Sequence, residues 1–302
     1  MNLGKLGTEK INPNTLSIDM CSSLEIASLM NTEDETVASA IRSELLQISK
    51  LIDAAYPIIQ RSGRIFYIGT GSSGRLGVLD ASEIPPTFNL MPNQFIGIIA
   101  GGDEALRTSK PTVEDSESEG IATLKAYSIT SNDLVIGLTA SGRTPFVKGA
   151  LQYAASQQAF TGLICCNKNA EISSFVDVAV EIDTGPEVIA GSTRLKAGTA
   201  QKMALNIFST ATMIKAGKVY KNLMVDLVAS NEKLQDRAMR IIMEATGATY
   251  EEATEAFRIS NKQVKTAIVY LLVGESVEKI NEKLSAHQGK VRDALNSLGY
   301  GE

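Results

Sequence analysis

The sequence predicts an α/β protein: a doubly wound parallel five-stranded sheet followed by a small all-helical C-terminal domain. Three observations carry this. Short apolar runs at 64–68, 94–100, 133–138, 160–166 and 176–182 are continuous rather than alternating, as in strands buried on both faces. Stretches of helical periodicity separate them, which makes the sheet parallel with helices on both sides. After Asp226 the strand pattern stops, and residues 231–298 read as helices alone.

Taken in order, residues 1–34 are polar and rich in turns, becoming helical near 24–30. Apolar residues at helical spacing follow: Val37, Ile41, Leu45, Ile48, Leu51 and Ile52. Residues 1–54 are expected to form a helical arm, 55–228 the sheet domain, and 229–302 the helical module. A long helix is expected over 195–216, where Met203, Leu205, Ile207, Met213 and Ile214 are apolar. Within the module, Thr249 and Glu252 have the spacing of a capping box.

The first strand runs into Gly69, Thr70, Gly71, Ser72, Ser73 and Gly74, and a helical segment follows. Glycines allow close backbone approach, hydroxyls donate hydrogen bonds, and a helix N-terminus attracts anions. A second loop, 139–145 (TASGRTP), follows the third strand with Ser141, Gly142 and Thr144. Both loops lie at carboxyl ends of strands, where open α/β sheets bind ligands. A phosphorylated small molecule is therefore the expected ligand. Residues 69–74 also fit Gly-x-Gly-x-x-Gly, the dinucleotide fingerprint. The acidic residue it requires about 20 positions on has its nearest candidate in Asp103, which lies late.

Composition narrows the partners. The net charge of −5 gives no reason to expect nucleic acid or an anionic membrane, and aromatic residues are only 5% with no Trp. No apolar run approaches a membrane span, and the first ten residues lack an apolar signal core. The cysteines, Cys21, Cys165 and Cys166, show no metal spacing, and the adjacent pair reads as small buried hydrophobes. A cytoplasmic protein with reduced thiols is expected.

Two carboxylates draw attention. Glu83 follows the first helix and precedes Pro85 and Pro86, which end a helix and stiffen the residues after it. Glu114 lies in an acidic stretch where Thr112 could cap a helix running to about Ala126. Either could be a solvated surface acid. Two carboxylates can also divide acid and base work if their surroundings push their pKa values apart. No histidine competes within the α/β region, because His287 lies in the helical module and is expected at its surface. Residues 191–202 (GSTRLKAGTAQK) offer Arg194 and Lys196 near the start of the long helix, as anion contacts or as surface charges.

These segments together resemble the N-acetylmuramic acid 6-phosphate etherases, which carry a sugar isomerase (SIS) domain and a small helical module similar to ubiquitin-associated domains. The likeness covers nearly the whole chain: 8–15 (TEKINPNT), 24–31, 69–86, 101–103, 113–115, 140–145, 192–202 and 218–226. Its longest signature is GRLGVLDASE at 74–83, and Ile84 stands where many relatives have a cysteine. The resemblance implies cleavage of the ether between sugar C3 and D-lactate by elimination and water addition, with no metal or nucleotide. It makes Glu83 the acid that protonates lactate and Glu114 the base at C2 or on water. Thr70, Gly71, Ser72, Ser73, Ser141, Gly142 and Thr144 would hold the sugar phosphate. Lactate carries a carboxylate, for which Arg194 and Lys196 are the candidate cations.

A helix over 74–82 would set Glu83 roughly 13 Å from its N-terminus, farther than C3 lies from the phosphate of a hexose 6-phosphate. Either that helix is short and bent, or Glu83 serves a neighbouring subunit. A homodimer with sites near the interface is expected. Three rivals share parts of this pattern. A sugar-phosphate-binding regulator similar to the glucokinase regulatory protein needs the loops but no acid–base pair. A phosphosugar isomerase shares the ring-opened intermediate but usually opens the ring with a histidine. The third is a nicotinamide-dependent oxidoreductase.

Overall fold

The apolar runs form one five-stranded parallel sheet in the computed structural model, which describes residues 4, 6–108, 110–227 and 232–301. In chain order the elements are α1 (Ser23–Asp34), α2 (Thr36–Arg42), α3 (Leu45–Gln60), β1 (Arg64–Gly69), α4 (Gly71–Phe88), β2 (Phe95–Ile99) and α5 (Glu104–Arg107). Next come α6 (Glu117–Lys125), β3 (Asp133–Thr139), α7 (Pro145–Ser156), β4 (Phe160–Cys165), β5 (Val178–Glu181) and α8 (Lys196–Lys215). A hairpin, β6 (Val219–Tyr220) and β7 (Leu223–Met224), precedes α9 (Glu232–Thr246), α10 (Tyr250–Ile259), α11 (Val264–Val273), α12 (Val277–Ala286) and α13 (Val291–Ser297).

The strand order is β2-β1-β3-β4-β5. Gly69, the last residue of β1, pairs with Ile99 on one side and Leu138 on the other. The chain leaves β1 toward β2 and returns on the opposite side as β3, so the winding reverses between β1 and β3. A crevice opens at the carboxyl ends of strands at such a point.

Both faces of the sheet are buried, as the continuous apolar runs require. Phe66, Ile68 and Val135 pack with Phe146, Val147 and Leu151 of α7. On the other face the Tyr67 ring meets Phe95 and Phe208 edge-on, with centroids 6.0 and 6.2 Å away. Its hydroxyl donates to Asp80 Oδ2 of α4 at 3.0 Å, and Ser209 Oγ donates to Asp80 Oδ1 at 3.1 Å. Burial pushes the Asp80 carboxyl above its ordinary range despite these bonds. At the amino end of the sheet, Arg64 grips Asp133 with two bonds of 2.8 Å. Burial alone would raise the Asp133 carboxyl, but Arg64 and the Thr130 amide outweigh it and hold it below the usual range.

The chain folds as two compact units, one of residues 1–82 and 93–209, the other of 83–92 and 210–302. The expected boundary between 228 and 229 lies outside the described residues. The second unit has its own core, in which Tyr220 and Val225 join Ile242, Phe257, Ile268 and Leu295. The capping box forms: Thr249 N donates to Glu252 Oε2 at 2.8 Å, and Glu252 N to Thr249 Oγ1 at 3.2 Å. His287, expected at the surface, is half-buried at the C-cap of α12. Among the described residues, no helix is long and apolar enough to cross a membrane.

Two local expectations are corrected. Proline does not end the helix that carries Glu83: α4 continues to Phe88 with Pro85 and Pro86 inside it. Each proline lacks the N–H that would bond four residues back, at Ala81 and Ser82. The following turn is held because buried Ile84 and Phe88 lie four residues apart, on one helix face. Nor does Thr112 start a helix. Residues Pro111–Asp115 form a 3₁₀ turn, and Ser116 caps α6 by accepting from Glu119 N at 3.1 Å.

Candidate active site

The site grows from the turn between β1 and α4. Gly71 has φ +50°, which lets the backbone turn directly into α4. The two glycines flanking the loop let that helix approach the strand: a Cβ on Gly74 would lie 2.7 Å from the Gly69 carbonyl oxygen. Helix N-termini present amides without intrahelical partners, so this turn offers N–H donors at the switch point. The Thr70 hydroxyl donates to Glu114 Oε2 at 3.3 Å. The Ser73 hydroxyl donates to Gln201 Oε1 of α8 at 2.8 Å and is buried. Ser72 is half-buried.

Thr70, Gly71 and Glu114 share a cavity of about 110 Å³ with Arg75, Ala100, Ala105, Lys110 and Val113. Arg75 and Lys110 were not among the residues expected from sequence. Arg75 Nη2 donates to the Ala105 carbonyl at 2.6 Å and Nε to that of Leu106 at 3.0 Å. Lys110 Nζ lies 2.5 Å from Glu104 Oε2. Arg75 stands four residues past Gly71, one turn along α4, and that spacing was the available signal. Lys110 sits just before an acidic stretch, where nothing in the sequence marks it out.

The second loop lies beside the first, because Gly69 pairs with Leu138 and the next residues are Thr70 and Thr139. Thr139 Oγ1 and Thr144 Oγ1 are 2.7 Å apart, and Thr139 Oγ1 and Ser141 Oγ 3.3 Å apart. Ser141 Oγ also accepts from Arg143 N at 3.3 Å. Gly142 has φ +69°, and a Cβ there would lie 2.3 Å from that of Ala170. Pro145 opens α7, whose N-cap Thr144 makes no side-chain cap bond. The hydroxyls are thus gathered by one another at a second helix N-terminus.

Arg194 is exposed. Lys196 is not an open cation: its ammonium is buried and lies 2.6 Å from Glu33 Oε2 of α1. Of these two cations, Arg194 is therefore the one open to solvent. Glu83 is exposed on α4, twelve residues after Gly71 on an unbroken helix, and belongs to the second unit. Of the two expected arrangements, a short helix before Glu83 is not the one formed, since α4 runs from Gly71 to Phe88. Glu114, the loop residues, Arg194 and Lys196 all belong to the first unit. Cys165 and Cys166 are buried free thiols, and burial pushes Cys165 up to about 12 and Cys166 well above its ordinary value.

Comparison with known proteins agrees with this architecture. The glucokinase regulatory protein N-terminal SIS domain matches residues 47–155, and the SIS domain matches residues 106–211. A phosphoheptose isomerase from Francisella tularensis superposes with a TM-score of 0.52 at 14% identity, over 64% of this chain and 100% of that one, which shows the fold. N-acetylmuramic acid 6-phosphate etherase 1 of Bacillus licheniformis is 48% identical across 98% of this chain and 97% of its own. The N-acetylmuramic acid 6-phosphate etherase of a Geobacillus species (strain WCH70) is 49% identical across 97% and 99%. Near-complete coverage at that identity, on a chain whose two hydroxyl loops meet at the switch point of an SIS fold, makes this protein a member of the N-acetylmuramic acid 6-phosphate etherase family.

Proposed function

We infer that the protein is a carbon–oxygen lyase that cleaves the lactyl ether of N-acetylmuramic acid 6-phosphate, giving N-acetylglucosamine 6-phosphate and D-lactate. The observation that carries this reading is the Glu114 carboxylate, 3.3 Å from the Thr70 hydroxyl of the phosphate loop. A binding protein for sugar phosphates has no need of a carboxylate there.

The chemistry assigns the parts. Ring opening exposes C1 as an aldehyde, which makes the C2 proton removable because the electron pair delocalises into the carbonyl. Glu114 takes that proton. The C3–O bond then breaks, Glu83 gives its proton to the departing oxygen, and lactate leaves as the free alcohol. Water adds to C3 of the unsaturated aldehyde, and C2 is protonated again. The 6-phosphate takes no part in bond changes. Held by Thr70, Gly71, Ser72 and Ser73 with Ser141, Gly142 and Thr144, it fixes the sugar in register for the two glutamates.

The reading extends to a cytoplasmic homodimer with sites near the interface. Free thiols suit a reducing compartment. Ile11, Leu16, Met20 and Leu24 are each at least 68% exposed, apolar surface of the kind a second copy would cover. Sedimentation should give twice the 32.3 kDa chain mass.

D-lactate release from N-acetylmuramic acid 6-phosphate tests the activity. Wild-type protein should release lactate and lose the ability in both Glu83→Ala and Glu114→Ala. The match to a glucokinase regulatory protein domain favours a second reading, a sugar-phosphate-binding regulator. Tight binding of the substrate without lactate release by the wild type would establish that instead.

A further inference from the structure

The N-terminal arm is bonded to the loops at the carboxyl end of the sheet. Asn167, 3% exposed just after β4, uses both hydrogens of its amide. Nδ2 donates to Thr8 Oγ1 at 3.0 Å and to the Ala140 carbonyl at 2.9 Å. Ala140 immediately precedes Ser141, so one side chain ties the hydroxyl loop to Thr8.

A second set of bonds reaches the segment carrying Arg194. Gly191 N donates to the Thr8 carbonyl at 3.3 Å, and Thr15 Oγ1 donates to the Val188 carbonyl at 2.8 Å. Lys196 Nζ donates to Glu33 Oε2 at 2.6 Å, while Asn14 Nδ2 donates to Glu33 Oε1 at 2.9 Å. Fully buried Glu187 accepts from the amides of Lys196 and Ala197 at 2.9 and 3.0 Å, capping α8.

These ties are costly to break. A buried amide that loses one partner leaves a donor unpaired, and half of a buried ion pair leaves an uncompensated charge. Their placement is informative. Of the arm's apolar residues, Val37, Ile41, Ile48 and Leu51 are buried without them. Glu44 bonds Lys168 and the Glu181 amide at the ends of β4 and β5, and the ties described above end on Ala140, Val188, Gly191 and Lys196, at or beside the loops of the candidate site.

We propose that the arm is a working part of the phosphosugar site, in which Thr8, Glu33, Asn167 and Lys196 are positioning residues that set the Ser141 and Arg194 loops. The proposal rests on the etherase reading, in which those loops meet the substrate. A site loop held only by its own ends would wander, and a shift near 1 Å costs about a hundredfold in rate.

Calorimetric titration with N-acetylglucosamine 6-phosphate, beside thermal unfolding, tests it. Thr8→Val removes the hydroxyl and keeps the volume. It should weaken binding by the folded protein about tenfold, because binding must then order a loop that this bond no longer holds, and Thr8→Ser should restore it. A purely structural tie would lower the Tm and leave the affinity of the folded protein unchanged. Unchanged affinity in folded Thr8→Val would overturn the proposal alone. No binding by the wild type would overturn the phosphosugar reading, and the proposal with it. If Thr8→Val does not fold, Glu33→Gln replaces it, with weakened affinity expected and unchanged affinity overturning the proposal.

Discussion

Glu114 touches the hydroxyl of Thr70, whereas Glu83 stands three turns along the helix that begins one residue after Thr70. Their proposed roles belong to transition states, so isosteric Glu83→Gln and Glu114→Gln should lower kcat by roughly 10²–10⁴ and change KM little. Steady-state lactate release reads both terms, and a rise in KM with kcat intact would assign either residue to binding. The cysteines give a second residue-scale expectation. Thiolates are the reactive form, and burial keeps Cys165 and Cys166 protonated, with Cys165 near 12. Cys21 is only half-buried. A thiol-reactive dye at pH 8 should label one cysteine in the folded protein and all three in denaturant. Fast labelling of Cys165 before unfolding would contradict the buried environment.

The elements are held by a few specific contacts that substitutions can isolate. A Cβ at Gly74 would press against backbone, the Gly69 carbonyl oxygen at 2.7 Å, which no rotamer change relieves. Gly74→Ala should therefore destabilise the first unit by about 1–3 kcal/mol, and should weaken sugar-phosphate binding by shifting the α4 N-terminus. Denaturant unfolding and calorimetric titration read the two effects separately. The Arg64–Asp133 pair joins β1 to β3 with a nearly buried carboxylate. Asp133→Asn should cost about 3 kcal/mol, because it leaves the Arg64 cation without its countercharge. The pH dependence has a definite sign. The folded state holds the Asp133 carboxyl below its ordinary value, so its contribution is complete above about pH 4. That contribution is lost as the pH falls through the depressed value. The Tm gap between wild type and Asp133→Asn should be constant from pH 8 to 5 and narrow toward pH 2. Asp80, raised by burial, acts in the opposite direction and favours the folded state most at low pH.

At the scale of the whole molecule, Glu83 belongs to one compact unit and Glu114 to the other. If a dimer builds each site from two chains, unfolding and refolding Glu83→Ala with Glu114→Ala together should restore part of the lactate release that each variant lacks. No recovery in verified heterodimers would show that each subunit supplies both carboxylates. The sheet was legible at this scale because strands buried on both faces need unbroken apolar runs, and observed β1 to β5 fall on the expected runs within two residues. The extent of α4 was less legible. Proline marks a local loss of hydrogen bonds, yet the burial of Ile84 and Phe88 accompanies a helix that continues past it. Glu114 was visible as one acid among several. Its place beside Thr70 is a contact across 44 residues, which no local pattern encodes.

By itself the sequence determined the parallel sheet, the two hydroxyl loops at strand ends, the helical C-terminal region and the likeness to the etherases. Each depends on periodicity, on glycine and hydroxyl placement, or on motif spacing, all of which are local. The tertiary structure decided which charges are open. Lys196 and Arg194 are two residues apart and look alike in sequence, but one is buried against Glu33 and the other is exposed. That difference arises because Glu33 reaches Lys196 from 163 residues away, and burial and pairing exist only once the chain has folded.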